Sequence, residues 1–141
     1  MIKIYVDVSG LNLKLQDTDK IIDKSLNTVG KRIRRNLIKN TPSNSGLARA
    51  SYSMEKSDNI VEIKNSQYYA PFVNDGTGVY GVYHRPITPK HAKVLVFKWK
   101  GKTWFLKSVK GQKPQRFVER SINETKDIIS DLVIKSVKEV I

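Results

Sequence analysis

The sequence predicts an α+β fold: an antiparallel sheet of about four to five strands, packed by a basic N-terminal helix and a long C-terminal helix, with long loops between. Three observations carry that expectation. Apolar and polar residues alternate over Ile2–Val8 and over residues 48–55, the two-residue period of half-buried strands, and two runs rich in β-branched and aromatic residues, Val94–Trp99 and Thr103–Lys107, flank a tight Lys100-Gly101-Lys102 turn. Between Ile22 and Leu37 apolar residues recur at steps of four, three, four and four, the stripe of an amphipathic helix. Residues 115–141 contain neither proline nor glycine and keep apolar residues at helical spacing, from Val118 and Ile122 to Val137 and Val140.

The first strand puts Ile2, Ile4, Val6 and Val8 on one face and Lys3, Tyr5 and Asp7 on the other, and Ser9-Gly10 ends it. Leu11, Leu13 and Leu15 extend the alternation after a bend. Asp17, Thr18 and Asp19 then start a helix, with a capping side chain and acids at the positive end of its dipole. Lys31, Arg32, Arg34, Arg35 and Lys39 crowd its other end, Gly30 is a mild weakness within it, and Thr41-Pro42 stops it. Residues 42–46 form a loop. A hairpin is expected over 48–65, with Ala48, Ala50, Tyr52 and Met54 on one face and a turn at Ser57-Asp58-Asn59. Residues 68–73 suit a single helical turn closed by glycine. Residues 79–93, with Gly81, Pro86 and Pro89, read as a loop whose length points to function or mobility. The strongest hairpin signal is Val94–Trp99, a Lys100-Gly101-Lys102 turn, and Thr103–Lys107; its strands predict one core face and one solvated lysine face. A second loop, 109–114, leads into the terminal helix.

The chain has 141 residues and no cysteine, and carries 26 Lys and Arg against 13 Asp and Glu, a formal charge of +13. Its length fits a single domain able to bury a core without disulfide or metal staples. The absence of cysteine excludes thiol catalysis and Cys-ligated zinc. No apolar run approaches the ~20 residues of a membrane span, and MIKIYVDVSG lacks the apolar core of a secretory signal. A strongly positive domain attracts nucleic acid, anionic headgroups or acidic protein surfaces.

The charge is unevenly placed. Between Gly76 and Val118 there is no acid, while Arg85, Lys90, Lys93, Lys98, Lys100, Lys102, Lys107, Lys110, Lys113 and Arg116 lie there, interleaved with Tyr80, Tyr83, Phe97, Trp99, Trp104 and Phe105. Basic residues among aromatics can hold a nucleic-acid backbone and stack bases. A solvated lysine face or an acidic protein partner explains the same pattern. His84 and His91 lack zinc-site spacing and have no carboxylate partner visible in sequence for acid–base chemistry. Gly76-Thr77-Gly78 resembles a fragment of a phosphate loop without its full spacing, and reads more simply as a helix stop needing positive φ. No serine sits in a G-x-S-x-G elbow. These residues present no catalytic, cofactor or metal constellation.

Three strings, in order, add a further reading: Thr41-Pro42-Ser43-Asn44-Ser45-Gly46-Leu47-Ala48-Arg49-Ala50-Ser51, then Tyr69-Ala70-Pro71-Phe72-Val73-Asn74-Asp75-Gly76-Thr77-Gly78, then Val109-Lys110-Gly111-Gln112-Lys113-Pro114-Gln115-Arg116-Phe117. They resemble the gp-ten-like neck or tail-component (tail-completion) family of long-tailed bacteriophages, over roughly residues 18–130. That family's pattern runs T-P-x-x-T-G-x-L-x-x-S, Y-A-x-F-V-E-x-G-T and P-x-x-F-x-x-x-A. Ser45, Asn74 and Ser121 stand where Thr, Glu and Ala are usual, and Leu47 follows its glycine directly.

The resemblance implies one neck/tail-component domain over residues 1–141. It implies a structural virion protein without catalytic activity or cofactor, assembled in the bacterial host cytoplasm and placed at the head–tail junction. Its partners would be further copies of itself in a ring and other neck or tail proteins, with non-specific DNA contact open, and with neither membrane nor small-molecule substrate. The motif residues would be structural: Pro42, Gly46 and Gly76 shaping turns, Tyr69 and Phe72 anchoring the short helix, Pro114 and Phe117 starting and seating the last helix. Arg85, Lys90, Lys93, Lys98, Lys100, Lys102, Lys110 and Lys113 would face DNA or a partner. The alternative is a basic nucleic-acid-binding module using residues 76–118.

Overall fold

In chain order the elements are β1 (Ile2–Asp7), α1 (Thr18–Asn40), α2 (Leu47–Ala50), β2 (Tyr52–Ser57), β3 (Ile60–Asn65), α3 (Ala70–Asp75), a 3-10 turn (Gly78–Tyr80), β4 (Leu95–Trp99), β5 (Lys102–Leu106), α4 (Phe117–Lys126) and α5 (Ile129–Val140). The computed structural model describes residues 1–7, 18–43 and 45–141. The expected bend at Ser9-Gly10, the Leu11–Leu15 alternation and the Asp17 cap lie outside the described residues. Two compact units result: Met1–Ala70 with Phe117–Ile141, and Pro71–Arg116.

The α+β class holds, but the strands form two antiparallel sheets rather than one of four to five strands. One has the order β1-β3-β2; the other is the pair β4-β5. Alternation marks a strand without saying which sheet it joins, and the second hairpin closes locally on itself.

In the first unit, β3 is central, with Ile63 opposite Ile4 on β1 and Met54 on β2. The inward set of Ile4, Tyr52, Val61 and Ile63 meets Leu26, Val29, Ile33 and Leu37 of α1, and Leu132 of α5 joins the same core. Leu26 and Leu37 are fully buried, each worth about 1.5–3 kcal/mol of transfer free energy. Gly30 has a packing reason: a Cβ there would sit 2.8 Å from Val61 Cγ1 and 3.1 Å from Met54 Sδ. Gly30→Ala should therefore destabilise by about 1–3 kcal/mol despite a gain of ~1 kcal/mol in helix propensity. Urea unfolding reads the net effect, and a raised midpoint would show that Val61 yields.

The other buried side of α1 is polar. Asn36 Nδ2 donates to Thr125 Oγ1 at 3.0 Å, Asn40 Nδ2 to Ser121 Oγ at 3.0 Å, and Ser136 Oγ to Thr28 Oγ1 at 3.3 Å. Ser121 thus makes use of its hydroxyl. Among the described residues, Ser25 Oγ is buried without a partner. Ion pairs tie both ends of α1 to the C-terminal helices: Lys24 to Glu139 at 2.9 Å and Lys39 to Glu124 at 3.0 Å. Hydrogen bonds from Lys39 and then Asn40 hold the Glu124 carboxyl below the usual glutamate range. That depressed value makes its contribution to stability present above the unfolded glutamate pKa and lost as pH falls through the folded one.

Two expectations need correction. Residues 47–50 are a helical turn, not the start of a strand. Gly46 enters with φ +82, Ser51 Oγ donates back to Leu47 O at 2.6 Å, and Asn65 Nδ2 holds Ala48 O at 2.8 Å. The single terminal helix is instead α4 and α5. Ser121 and Thr125 donate to carbonyls one turn back, at 2.7 and 2.9 Å, a pattern that bends helices. At the junction the Ile128 amide bonds to Thr125 O, one residue short of α-helical register.

Candidate functional site

In the Thr41–Ser51 string Thr41 and Ala48 are buried, and Thr41 is a hydrogen-bonded node. Thr41 Oγ1 donates to Leu37 O at 2.5 Å, closing α1, and meets the Tyr52 hydroxyl at 2.6 Å. Arg49 Nε donates to Thr41 O at 2.7 Å. Burial, more than these bonds, sets the Tyr52 phenol, raising its pKa above the ordinary value. Sequence reading took Thr41 as a helix stop only; its pairing with Tyr52 depends on the fold. Pro42 follows it, exposed, and Gly46 supplies the left-handed turn into α2. Tyr69 is half-buried and meets Tyr68 edge to face at 5.6 Å.

In the Pro71–Arg116 unit, Gly76 closes α3 with φ +86, its amide bonding Phe72 O at 2.9 Å. The chain then runs beside residues 109–116. Thr77 N bonds Gln112 O, Val79 N bonds Lys110 O, and Gln112 N bonds Thr77 Oγ1, all within 2.8–2.9 Å. Ile87 and Val109 exchange both backbone bonds, while Gln115 N and Arg116 N bond Val73 O and Asn74 O. The two long loops are therefore stitched together. Gly78 and Gly111 make the contact possible: both have positive φ, and a Cβ on either would overlap backbone of the opposite segment. The amides of Gly76, Thr77 and Val79 are spent inside the chain, so Gly76-Thr77-Gly78 is a turn device and not a phosphate cradle. Pro114 Cδ lies 3.0 Å from where a Cβ on Gly76 would stand. The repeated glycines at 76, 78 and 111 were the available signal for this stitch.

The β4-β5 hairpin pairs Phe97 with Trp104 and Trp99 with Lys102. Lys100 and Gly101 take positive φ at its turn, the geometry that matches strand twist. The expected core face is absent. Leu95, Phe97, Trp99, Trp104 and Leu106 share one face by register, yet among these ten strand residues only Leu95 is even half-buried; Trp99 is 56% and Phe105 65% exposed. The tryptophan rings stand 6.2 Å apart, and Trp104 Nε1 donates to Trp99 O at 3.3 Å. Lys100 Nζ lies 4.6 Å from the Trp99 ring centre, Arg85 5.8 Å from that of Tyr83, and Lys113 5.9 Å from that of Tyr80.

A groove of about 500 Å³ in the same unit is lined by Phe72, Thr77, Tyr83, Arg85, Pro86 and Lys90 among others. Phe72, expected as an anchor of the short helix, is 55% exposed on this groove; the backbone bonds of the stitch hold α3 instead. Asp75 lies 3.8 Å from Arg116. Among the described residues none of the other nine cations has a carboxylate partner; Arg85, Lys90, Lys93, Lys98, Lys100, Lys102, Lys110 and Lys113 are all exposed. His84 is exposed with Nδ1 3.4 Å from Val79 O, and His91 is exposed. Among the described residues no three His, Asp or Glu side chains gather as a metal site. Phe117, at the head of α4, is fully buried.

No curated protein and no solved structure matches the chain. Residues 13–76 match the family described as "Bacteriophage HK97-gp10, putative tail-component", the family that the three strings resemble; the matched stretch takes in the first string and most of the second, and the third lies beyond it.

Proposed function

We propose that this chain is a structural, non-catalytic component of the bacteriophage virion, a neck or tail-completion protein that assembles as a closed ring at the head–tail junction. The observation that carries this reading is the match of residues 13–76 to a phage tail-component family. The surface supports it. The hairpin leaves its aromatic face uncovered, and a two-stranded hairpin is marginal in water unless something packs on it. Closed rings form through head-to-tail contacts between two different patches of each subunit. Val96 and Phe105, exposed on the side of the hairpin opposite the tryptophans, suit one of those patches. Residues 1–141 then act as one such component, made in the host cytoplasm and retained in the virion, with its own copies and other neck or tail proteins as partners. No cofactor is required. Pro42, Gly46, Gly76, Pro114 and Phe117 serve by shaping the subunit.

Negative-stain imaging and light scattering of the purified protein, with immunolabelling of particles, test the reading. Rings of several copies, or label at the head–tail junction, are the expected result. A protein that stays monomeric and is also absent from particles overturns it.

A further inference from the structure

The Pro71–Arg116 unit holds ten cations and a single acid, Asp75, which is already paired with Arg116. Such single-signed charge opposes pairing of the unit with its own copy and attracts a polyanion. Among the described residues, all three cation–aromatic contacts lie within this unit. They place a positive charge beside each of Tyr80, Tyr83 and Trp99, and all three rings remain exposed. A cation next to a free aromatic face is the arrangement that holds a phosphate while a neighbouring base stacks.

We infer that this unit binds nucleic acid without sequence preference, its unpaired lysines and Arg85 taking the phosphates and Trp99 and Trp104 stacking unpaired bases. Stacking requires bases free of a duplex, so single strands bind more tightly than duplex, which engages through phosphate alone. The inference does not rest on the tail-component reading.

The chain has two tryptophans, and both lie on the hairpin. Intrinsic fluorescence of the full chain therefore reports directly on the proposed surface. Titration with oligothymidylate of about 20 nucleotides, longer than the ~4–16 covered by a typical single-strand binding module, should quench this emission at low salt. Log affinity should fall linearly with log salt, with a slope of about 0.7 per phosphate contacted. A duplex of equal length should bind more weakly with little quenching. Trp99→Ala should weaken binding of the single strand by roughly 5- to 150-fold, the range expected for one lost stacking partner. The triple change Lys98→Gln, Lys100→Gln, Lys102→Gln should lower the salt slope by about 2. All four changes are at exposed positions, and circular dichroism checks that the variants fold.

Absence of quenching by the single strand at low salt overturns the inference, as does undiminished binding by a folded Trp99→Ala protein. Equal binding of poly-glutamate would move the assignment to an acidic protein partner. A blue shift with phosphatidylserine vesicles, without response to the oligonucleotide, would move it to a membrane surface. Rings that ignore the oligonucleotide would overturn this inference alone; monomers that bind it would leave it standing without the ring.

Discussion

Gly111→Ala should open the Pro71–Arg116 unit. At φ +100, a Cβ on residue 111 would overlap the carbonyl of Thr77 on the facing segment, which is backbone and cannot rotate away. The left-handed conformation alone costs an ordinary residue about 1–2 kcal/mol. Separating the segments further forfeits the bonds of Thr77 N and Gln112 N, each worth about 1 kcal/mol net. A local loss of about 3 kcal/mol or more follows from these terms. Gly78→Ala should act alike, because its Cβ would overlap Lys110 O. Amide hydrogen exchange at Thr77, Val79 and Ile87 measures the effect, and all three should lose protection. Gly101→Ala is the control: its φ is +75 but nothing lies within 4 Å of the added carbon. It should cost only the conformational part, about 1–2 kcal/mol. Equal losses at 101 and 111 would show that backbone preference, and not the close approach, governs these positions.

Phe117→Ala should be the most damaging truncation in the other unit, by about 3–5 kcal/mol. The ring is fully buried, so its removal forfeits the transfer free energy and leaves a cavity at the first turn of α4. The neighbouring hydrogen bond from Ser121 Oγ to Phe117 O is to the main chain and can survive the change. Phe72→Ala offers the contrast. Both phenylalanines stand in the motif strings, yet Phe72 is more than half exposed and should cost less than about 1 kcal/mol. Urea unfolding of both variants separates them. Comparable midpoints would mean that Phe117 sits where the surroundings can collapse.

Elements specified by neighbouring residues were legible in the sequence. The stripe from Ile22 to Leu37, the turn signals at Ser57–Asn59 and Lys100–Lys102, and the glycine stop at 76 each act over a few residues, and each appears where expected. Readings that needed distant partners were not legible. Ala48 and Ala50 satisfy a two-residue period, but their helical turn is fixed by Asn65 from another strand. The split between α4 and α5 lies where the Ile128 amide turns to Thr125 O, beside Ser121 and Thr125 hydroxyls that look like ordinary helix-face residues in sequence. For the candidate site, the acid-free run could be counted directly. That the hairpin's aromatic side has no cover could not, because alternation defines a face and leaves open what lies on it. Likewise, Gly78 and Gly111 were visible as turn residues, while their mutual contact belongs to the tertiary structure.

The polar seam on α1 has a consequence for how the C-terminal helices are aligned. Oily side chains tolerate sliding, since one methyl replaces another at small cost. Asn36, Asn40 and Thr28 do not, because each meets a specific hydroxyl on α4 or α5. Advancing the C-terminal helices by one turn would strand the buried Asn36 amide, at about 1–3 kcal/mol, and break the two half-buried rungs beside it. Alignment is thus stepwise, with one setting far below its neighbours. The seam works as an index, fixing α4 and α5 at one height along α1.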